Sequence, residues 1–157
     1  VVGAEARTNN DTIEQLLTHI DGRGSHRSFN AISEIRRRLG PDTPKVLLDW
    51  FKKQKAWDIR CACDYYCFRD ARQSAAAFEL GLLAIRDRSK VVRYRGFMLL
   101  AFTLRKSAIL ALEEALQAEN VTSIREDILA AIDAIASQNH NYFVDRDHSG
   151  KISYKFR

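Results

Sequence analysis

The chain has 157 residues, 46% of them hydrophobic and 29% charged, with only seven Gly and two Pro. That is room for one domain or about four stacked helix pairs, and so few chain breakers argue against a strand-rich fold. The formal charge of +5 divides as twelve Lys/Arg against ten Asp/Glu up to Asp70 and thirteen against ten beyond it; this excludes a basic tail and permits nucleic acid or an acidic protein as partner without requiring either.

The opening VVGAEARTNN has no initiator Met and no signal-type apolar stretch, so residues 1–10 read as a disordered, trimmed or appended terminus outside the fold. Helical periodicity then begins. Ile13, Leu16, Leu17 and Ile20 follow the i, i+3, i+4, i+7 spacing of one face, after Asn10 or Asp11 as N-cap. Gly22 and Gly24 break this helix. A second starts near Ser25, carries Phe29, Ile32, Ile35 and Leu39, and stops at Gly40-Pro41. A third begins at Thr43-Pro44, where Pro suits the first turn, and carries Leu47, Trp50 and Phe51.

The fourth helix is expected from about Trp57 to Ala71, with Trp57, Cys61, Tyr65 and Phe68 on one side. The fifth, from about Gln73, uses Ala75, Phe78, Leu82 and Ile85. The sixth starts near Ser89 and is apolar nearly all round from Gly96 to Phe102, the mark of a helix buried on most sides. A seventh uses Ala108, Ile109, Leu112 and Leu116, and an eighth Ile124, Ile128, Ile132 and Ile135. No apolar run approaches the roughly 18 residues of a membrane span, so no membrane partner is expected.

Three segments share a helix opening after a short polar turn: Trp57-Asp-Ile-Arg60, Lys90-Val-Val-Arg93 and Ser123-Ile-Arg125. Their arginines are 33 and 32 residues apart, the period of one helix pair per repeat in an α-solenoid. The stretch Leu82-Leu-Ala-Ile-Arg-Asp87-Arg-Ser-Lys-Val-Val-Arg93 resembles the HEAT repeat consensus, and the resemblance covers residues 45 to 137. It implies an all-α, right-handed α-solenoid of about four stacked HEAT-like helix pairs over residues 11–138. It also implies that Asp87 and Arg93 hold neighbouring repeats together, with Asn120 as a substitute for the turn Asp in the next repeat.

The last residues, 139–157, have no helical period. Ile152, Tyr154 and Phe156 alternate with polar residues, and Tyr142 and Val144 flank Phe143. Two short strands around Asp147-His-Ser-Gly150 are expected, a β-hairpin capping the last repeat. Asp145, Asp147 and Ser149 sit at positions 1, 3 and 5 of a pattern like the first half of an EF-hand loop, with Gly150 at position 6. Phe156 stands where the bidentate Glu belongs, so the alternatives are a weak cation site and a turn whose Asp and Ser side chains bond nearby backbone N–H groups.

Other chemistry is sparse. Cys61, Cys63 and Cys67 are odd in number and lie in one helix, which fits reduced thiols in a cytoplasmic protein better than disulfides or zinc. No phosphate loop, nucleophile elbow or metalloprotease motif occurs, and no cofactor is expected. A basic zone remains, Arg86, Arg88, Lys90, Arg93 and Arg95, with Trp50, Trp57 and Tyr65 as aromatic companions. On one reading these residues belong to a non-enzymatic interaction module or scaffold that grips another protein on a concave helical face. On the alternative they track a phosphate backbone. Trp57-Asp58-Ile59-Arg60 is similar to a Trp-x-x-Arg helix start in HEAT-like alkylpurine DNA glycosylases, a resemblance that implies DNA binding and makes Asp58 and Asp64 the nearest candidates for a catalytic carboxylate.

Overall fold

The structure, a computed structural model, describes residues 10–156. The expectation for the first residues, apart from Asn10, and the terminal Arg157 lie outside the described residues.

The helices begin where small polar caps precede apolar periodicity. Helix α1 (Ile13–Leu17) opens on Thr12, whose hydroxyl accepts from the Gln15 amide while the Gln15 side chain accepts from the Thr12 amide, a reciprocal capping box. Helix α2 (His26–Leu39) is capped by Ser25 and ends in a 3-10 turn at Gly40–Asp42. Helix α3 spans Thr43–Lys53 with Pro44 in its first turn. Helix α4 (Trp57–Cys67) continues as a 3-10 turn, Phe68–Asp70. Helices α5 (Ala75–Ala84) and α6 (Lys90–Thr103) are capped by Ser74 and Ser89, each hydroxyl accepting from an amide three residues on. Helices α7 (Ala108–Ala118) and α8 (Thr122–Ala136) follow. The fold is all-α, and every expected helix is present.

The helices pack as successive pairs, α3 with α4, α5 with α6 and α7 with α8. Helices α4, α6 and α8 lie side by side in one layer, and α3 packs on α5 in the other. Helix α6 is the centre: every residue from Gly96 to Thr103 is buried, because α4, α5 and α8 all pack on it. Its crossing with α5 is close enough to need glycine at position 96, and it is also close at Gly81, where the neighbour is the end of a side chain. A Cβ at Gly96 would stand 2.8 Å from the Ala84 Cβ and the Ile85 amide nitrogen, and one at Gly81 2.7 Å from Leu100 Cδ2.

The three arginines of the repeat perform one operation. Arg60, Arg93 and Arg125 each occupy the fourth position of their helix. Each points Nη1 back to the carbonyl six residues earlier: Arg60 to Gln54 at 3.3 Å, Arg93 to Asp87 at 2.8 Å and Arg125 to Glu119 at 2.9 Å. Gln54 and Glu119 are the C-caps of α3 and α7, and Asp87 lies just beyond the end of α5; carbonyls there have no intrahelical partner, and a guanidinium satisfies them. The spacing of 33 and 32 residues is therefore the repeat of a physical contact. Arg60 has a second use: its Nε and Nη2 meet both oxygens of Asp87 at 2.8 and 2.9 Å, joining the α3–α4 pair to the α5–α6 pair.

Two expectations need correction. The C-terminal β-hairpin does not form; no strand occurs among the described residues. Residues His140–Phe143 form a 3-10 turn, and the Tyr154 amide bonds to the Asn141 side chain at 2.9 Å instead of to a partner strand. The alternating aromatics leave the ladder because they find better neighbours. Tyr154 packs edge-on to Phe68, and Tyr154 and Phe156 pack on Phe102, with ring centroids 5.0–6.1 Å apart. Further ties reach α8, Arg146 to Asp127 at 2.9 Å and His148 to Asp133 at 2.5 Å. The tail thus lies across the α4–α6–α8 layer.

The second correction concerns α4. Its buried side carries Arg60, Ala62, Cys63, Asp64, Tyr66 and Cys67, while Trp57 is exposed and Cys61 and Tyr65 are half-buried. The side that carries the expected apolar spacing is the more open one, with only Phe68 fully covered. The periodicity misled because the buried side includes an Arg and an Asp.

Candidate functional site

The tail covers much of the α4–α6–α8 layer and leaves open the part bounded by α2. There the loop Asp21–Gly24 closes over the start of α4. A Cβ at Gly22 would overlap the Asp58 Cβ at 2.4 Å, so glycine is required for this approach. Asp21 holds the loop by accepting from the amides of Arg23 and Ser25 and from the Ser25 hydroxyl, the last at 2.6 Å. The Ser25 hydroxyl bond, with these amides, keeps the Asp21 carboxyl below its ordinary range.

The result is a depression of about 240 Å³ lined by this loop, Phe29, Asp58, Cys61, Tyr65 and Arg95. Phe29 rests edge-on against Tyr66, centroids 5.9 Å apart. Tyr66 is fixed by a 2.8 Å hydrogen bond between its hydroxyl and Ser28. Arg95, half-buried on α6, places its guanidinium 5.7 Å from the Tyr65 ring centroid and 6.0 Å from that of Phe68. Among the described residues it makes ring contacts and no hydrogen bond or ion pair. Cys61 is inert here: burial pushes its thiol up to about 12, far from the thiolate a nucleophile needs.

Of the residues singled out in the sequence, Tyr65 and Arg95 come together, and Trp57, 52% exposed, stands at the head of the same helix. The others scatter. Trp50 lies on α3 in the other layer, partly buried, with its Nε1 enclosed and unpartnered. Arg88 reaches across to the Lys55 carbonyl at 3.2 Å, and Arg93 is held by the Asp87 carbonyl. Arg86 lines a different cavity, while Lys90 is exposed in the first turn of α6. The five cations do not form one stripe. Asp58, named in the sequence only as a candidate carboxylate, lines this depression; Phe29 and the Gly22–Gly24 rim were missed as site residues, and no local pattern marks them, since only the loop's approach to α4 unites them.

Asp64 is 0% exposed, and neither of its oxygens has a hydrogen-bond partner. Burial holds its carboxyl well above the usual carboxylate range, with the Asp87 charge adding to the effect. Enclosed in this way, it has no path to a substrate. Asp58 is the more accessible of the two acids and lines the depression.

The Asp145–Gly150 turn is self-contained. Asp145, 2% exposed, accepts at Oδ1 from the Ser149 amide and hydroxyl and at Oδ2 from the Gly150 amide. Ser149 Oγ in turn accepts from the Lys151 amide, and Asp147 is exposed. Both Asp145 oxygens and the Ser149 hydroxyl are thus engaged within the turn itself. No cluster of three or more His, Cys, Asp or Glu poised for a metal occurs among the described residues.

No protein-family model matches the chain, and no curated protein matches it significantly.

Proposed function

We propose that the chain is a non-enzymatic interaction module that takes a segment of another protein on the open face of α2, α4 and α6. The observation that carries this reading is Arg95, half-buried beneath Tyr65 with no ionic partner among the described residues. Phe29, 37% exposed, lines the same depression; Trp57 at the head of α4 and Val91, one turn before Arg95 on α6, are 52% and 46% exposed. Arg, Trp and Tyr at the centre of an apolar patch are the composition of interface hot spots. On this reading the helix pairs are a right-handed α-solenoid of HEAT-like repeats. The arginine spacing and the shared bond to the carbonyl six residues back support it. The three free thiols favour a reducing, cytoplasmic setting. No helix among the described residues is long and apolar enough to cross a membrane.

The test is selection of binders from a random-peptide display library, with Arg95→Ala, Trp57→Ala and Tyr65→Ala as parallel targets. Peptides that lose at least about tenfold in affinity for each variant support the reading, since truncating a hot spot removes 2 kcal/mol or more, roughly. Enriched peptides indifferent to all three variants would refute it. Labelled duplex and single-stranded DNA form the other arm. Salt-sensitive binding, blunted by removing Arg88, Lys90 and Arg95, would replace the protein partner with nucleic acid.

A further inference from the structure

The C-terminal tail is held unevenly along its length. Up to Gly150 it is anchored to α8 by Arg146 on Asp127 and His148 on Asp133, and the Asp145 carboxylate ties Ser149 and Gly150 into the turn. Beyond Gly150 the hold changes. Ile152, Ser153, Lys155 and Phe156 make no hydrogen bond among the described residues, and Ile152 and Phe156 are 52% and 41% exposed. The Tyr154 amide bonds to the Asn141 side chain, and the rings of Tyr154 and Phe156 rest on Phe68, Phe102 and His140 with centroids 5.0–6.1 Å apart. Gly150, at φ +75° with open space where a Cβ would stand, separates the two parts. Glycine at that point lets the chain turn without steric penalty.

The loosely held part borders the face proposed for the partner. Tyr154 and Phe156 line a cavity of about 140 Å³ together with Phe29, Tyr65 and Tyr66, and those same three residues line the Arg95 depression. Phe68 is shared as well: Tyr154 packs edge-on to its ring, and the Arg95 guanidinium lies 6.0 Å from its centroid. A segment seated on Arg95 and Tyr65 that continues past Phe29 therefore meets the tail.

We propose that residues 151–156 are an autoinhibitory segment, which fills one end of the partner groove in cis and swings away about Gly150 when the partner takes its place. The proposal rests on the partner face described above and adds how access to it is regulated and what the partner presents there. In an extended chain, residues two apart share one face, as Tyr154 and Phe156 do on Phe102. The partner is then an extended segment with two large apolar side chains at alternate positions. Its side chains re-cover Phe68 and Phe102, each only 2% exposed beneath the tail. The anchors on α8 stay in place during the exchange. A tail closed most of the time lowers the apparent affinity for the partner in proportion to the fraction that is open.

The probe is a fluorescent synthetic peptide copying residues 149–156, titrated by anisotropy into the full chain and into the full-chain double variant Tyr154→Ala, Phe156→Ala. The variant is expected to bind the peptide at least about tenfold more tightly than the wild type, whose groove is already filled, since a minor open state is on the order of 10% or less. A segment tethered through a short linker is present at an effective concentration of about 1 mM, so a tail that stays closed implies a Kd below that value in trans. No binding to the variant up to about 1 mM, or equal binding to both proteins, overturns the proposal. It is also overturned if peptides that need Arg95 bind the wild type and the variant equally, a result that leaves the partner face itself standing. Failure of that face shows separately, as library peptides indifferent to Arg95, Trp57 and Tyr65, and takes the regulation with it. Should the double variant fail to fold, Phe156→Ala alone, the loss of an exposed ring, makes the same comparison.

Discussion

Replacing Asp64 with Asn should flatten the dependence of stability on pH. The folded chain keeps a proton on Asp64 because burial raises its carboxyl well above 3.8, whereas the unfolded chain releases that proton above about pH 4. The folded state therefore binds more protons, and stability falls as pH rises from the unfolded-state pKa to the folded-state one. Within that window each pH unit removes about 1.4 kcal/mol, and below about pH 4 nothing is lost. Asn has the same shape and does not titrate. It still buries a polar group, so the expected gain is in slope, not in stability at acid pH. Urea denaturation of both proteins at about pH 5 and about pH 6 makes the comparison. The wild type should lose more stability than Asp64→Asn across that unit, with about 1.4 kcal/mol as the ceiling for one proton, and with unchanged m-values. Equal slopes would mean that Asp64 is ionised in the folded protein and has found a partner, which would refute the reasoning.

Three further outcomes are expected. Arg60→Ala or Asp87→Ala alone should cost about 3–5 kcal/mol, the penalty for leaving one member of a buried pair uncompensated; a double-mutant cycle by chemical denaturation should return a coupling energy well above zero, and strict additivity would contradict the 2.8 and 2.9 Å contacts. Gly96→Ala should destabilise by about 1–3 kcal/mol despite the higher helix propensity of Ala, because its methyl meets the Ile85 amide; a thermal midpoint at or above that of the wild type would show that the helices can separate. Asn120→Asp, which restores an acid at the position equivalent to Asp87, should stabilise by about 1 kcal/mol in thermal unfolding, and a loss would refute the register drawn between the two turns.

The helical architecture was legible because its signals are local. Ser25, Ser74 and Ser89 are caps that stand directly before their helices, and the apolar run after Arg95 announced the burial of α6. The repeated arginine could be read as a period and proved to be a shared contact. Long-range choices were not legible. Tyr154 and Phe156 alternate as a strand would, yet Phe68 and Phe102, far away in sequence, draw them onto the helices. The apolar spacing of α4 did not mark its buried side, because burying Arg60 and Asp64 breaks the usual pattern; Arg60 is tolerable inside only because Asp87 arrives from the next pair. At the candidate site, Arg95 and Tyr65 stood out as cation and aromatic. Phe29 did not, since Gly22 brings its neighbourhood together without any periodic mark.

The C-terminal strap has a thermodynamic consequence. In a row of helix pairs, each unit senses only its neighbours, so an end can fray while the remainder stays folded. Residues 140–156 break that rule by touching Phe68 at the end of α4, Phe102 at the end of α6, and Asp127 and Asp133 on α8. Opening the α7–α8 pair then means surrendering contacts to helices two units away. The expected behaviour is a single all-or-none transition in place of stepwise melting, with the strap as the element that converts a row into a closed cooperative unit.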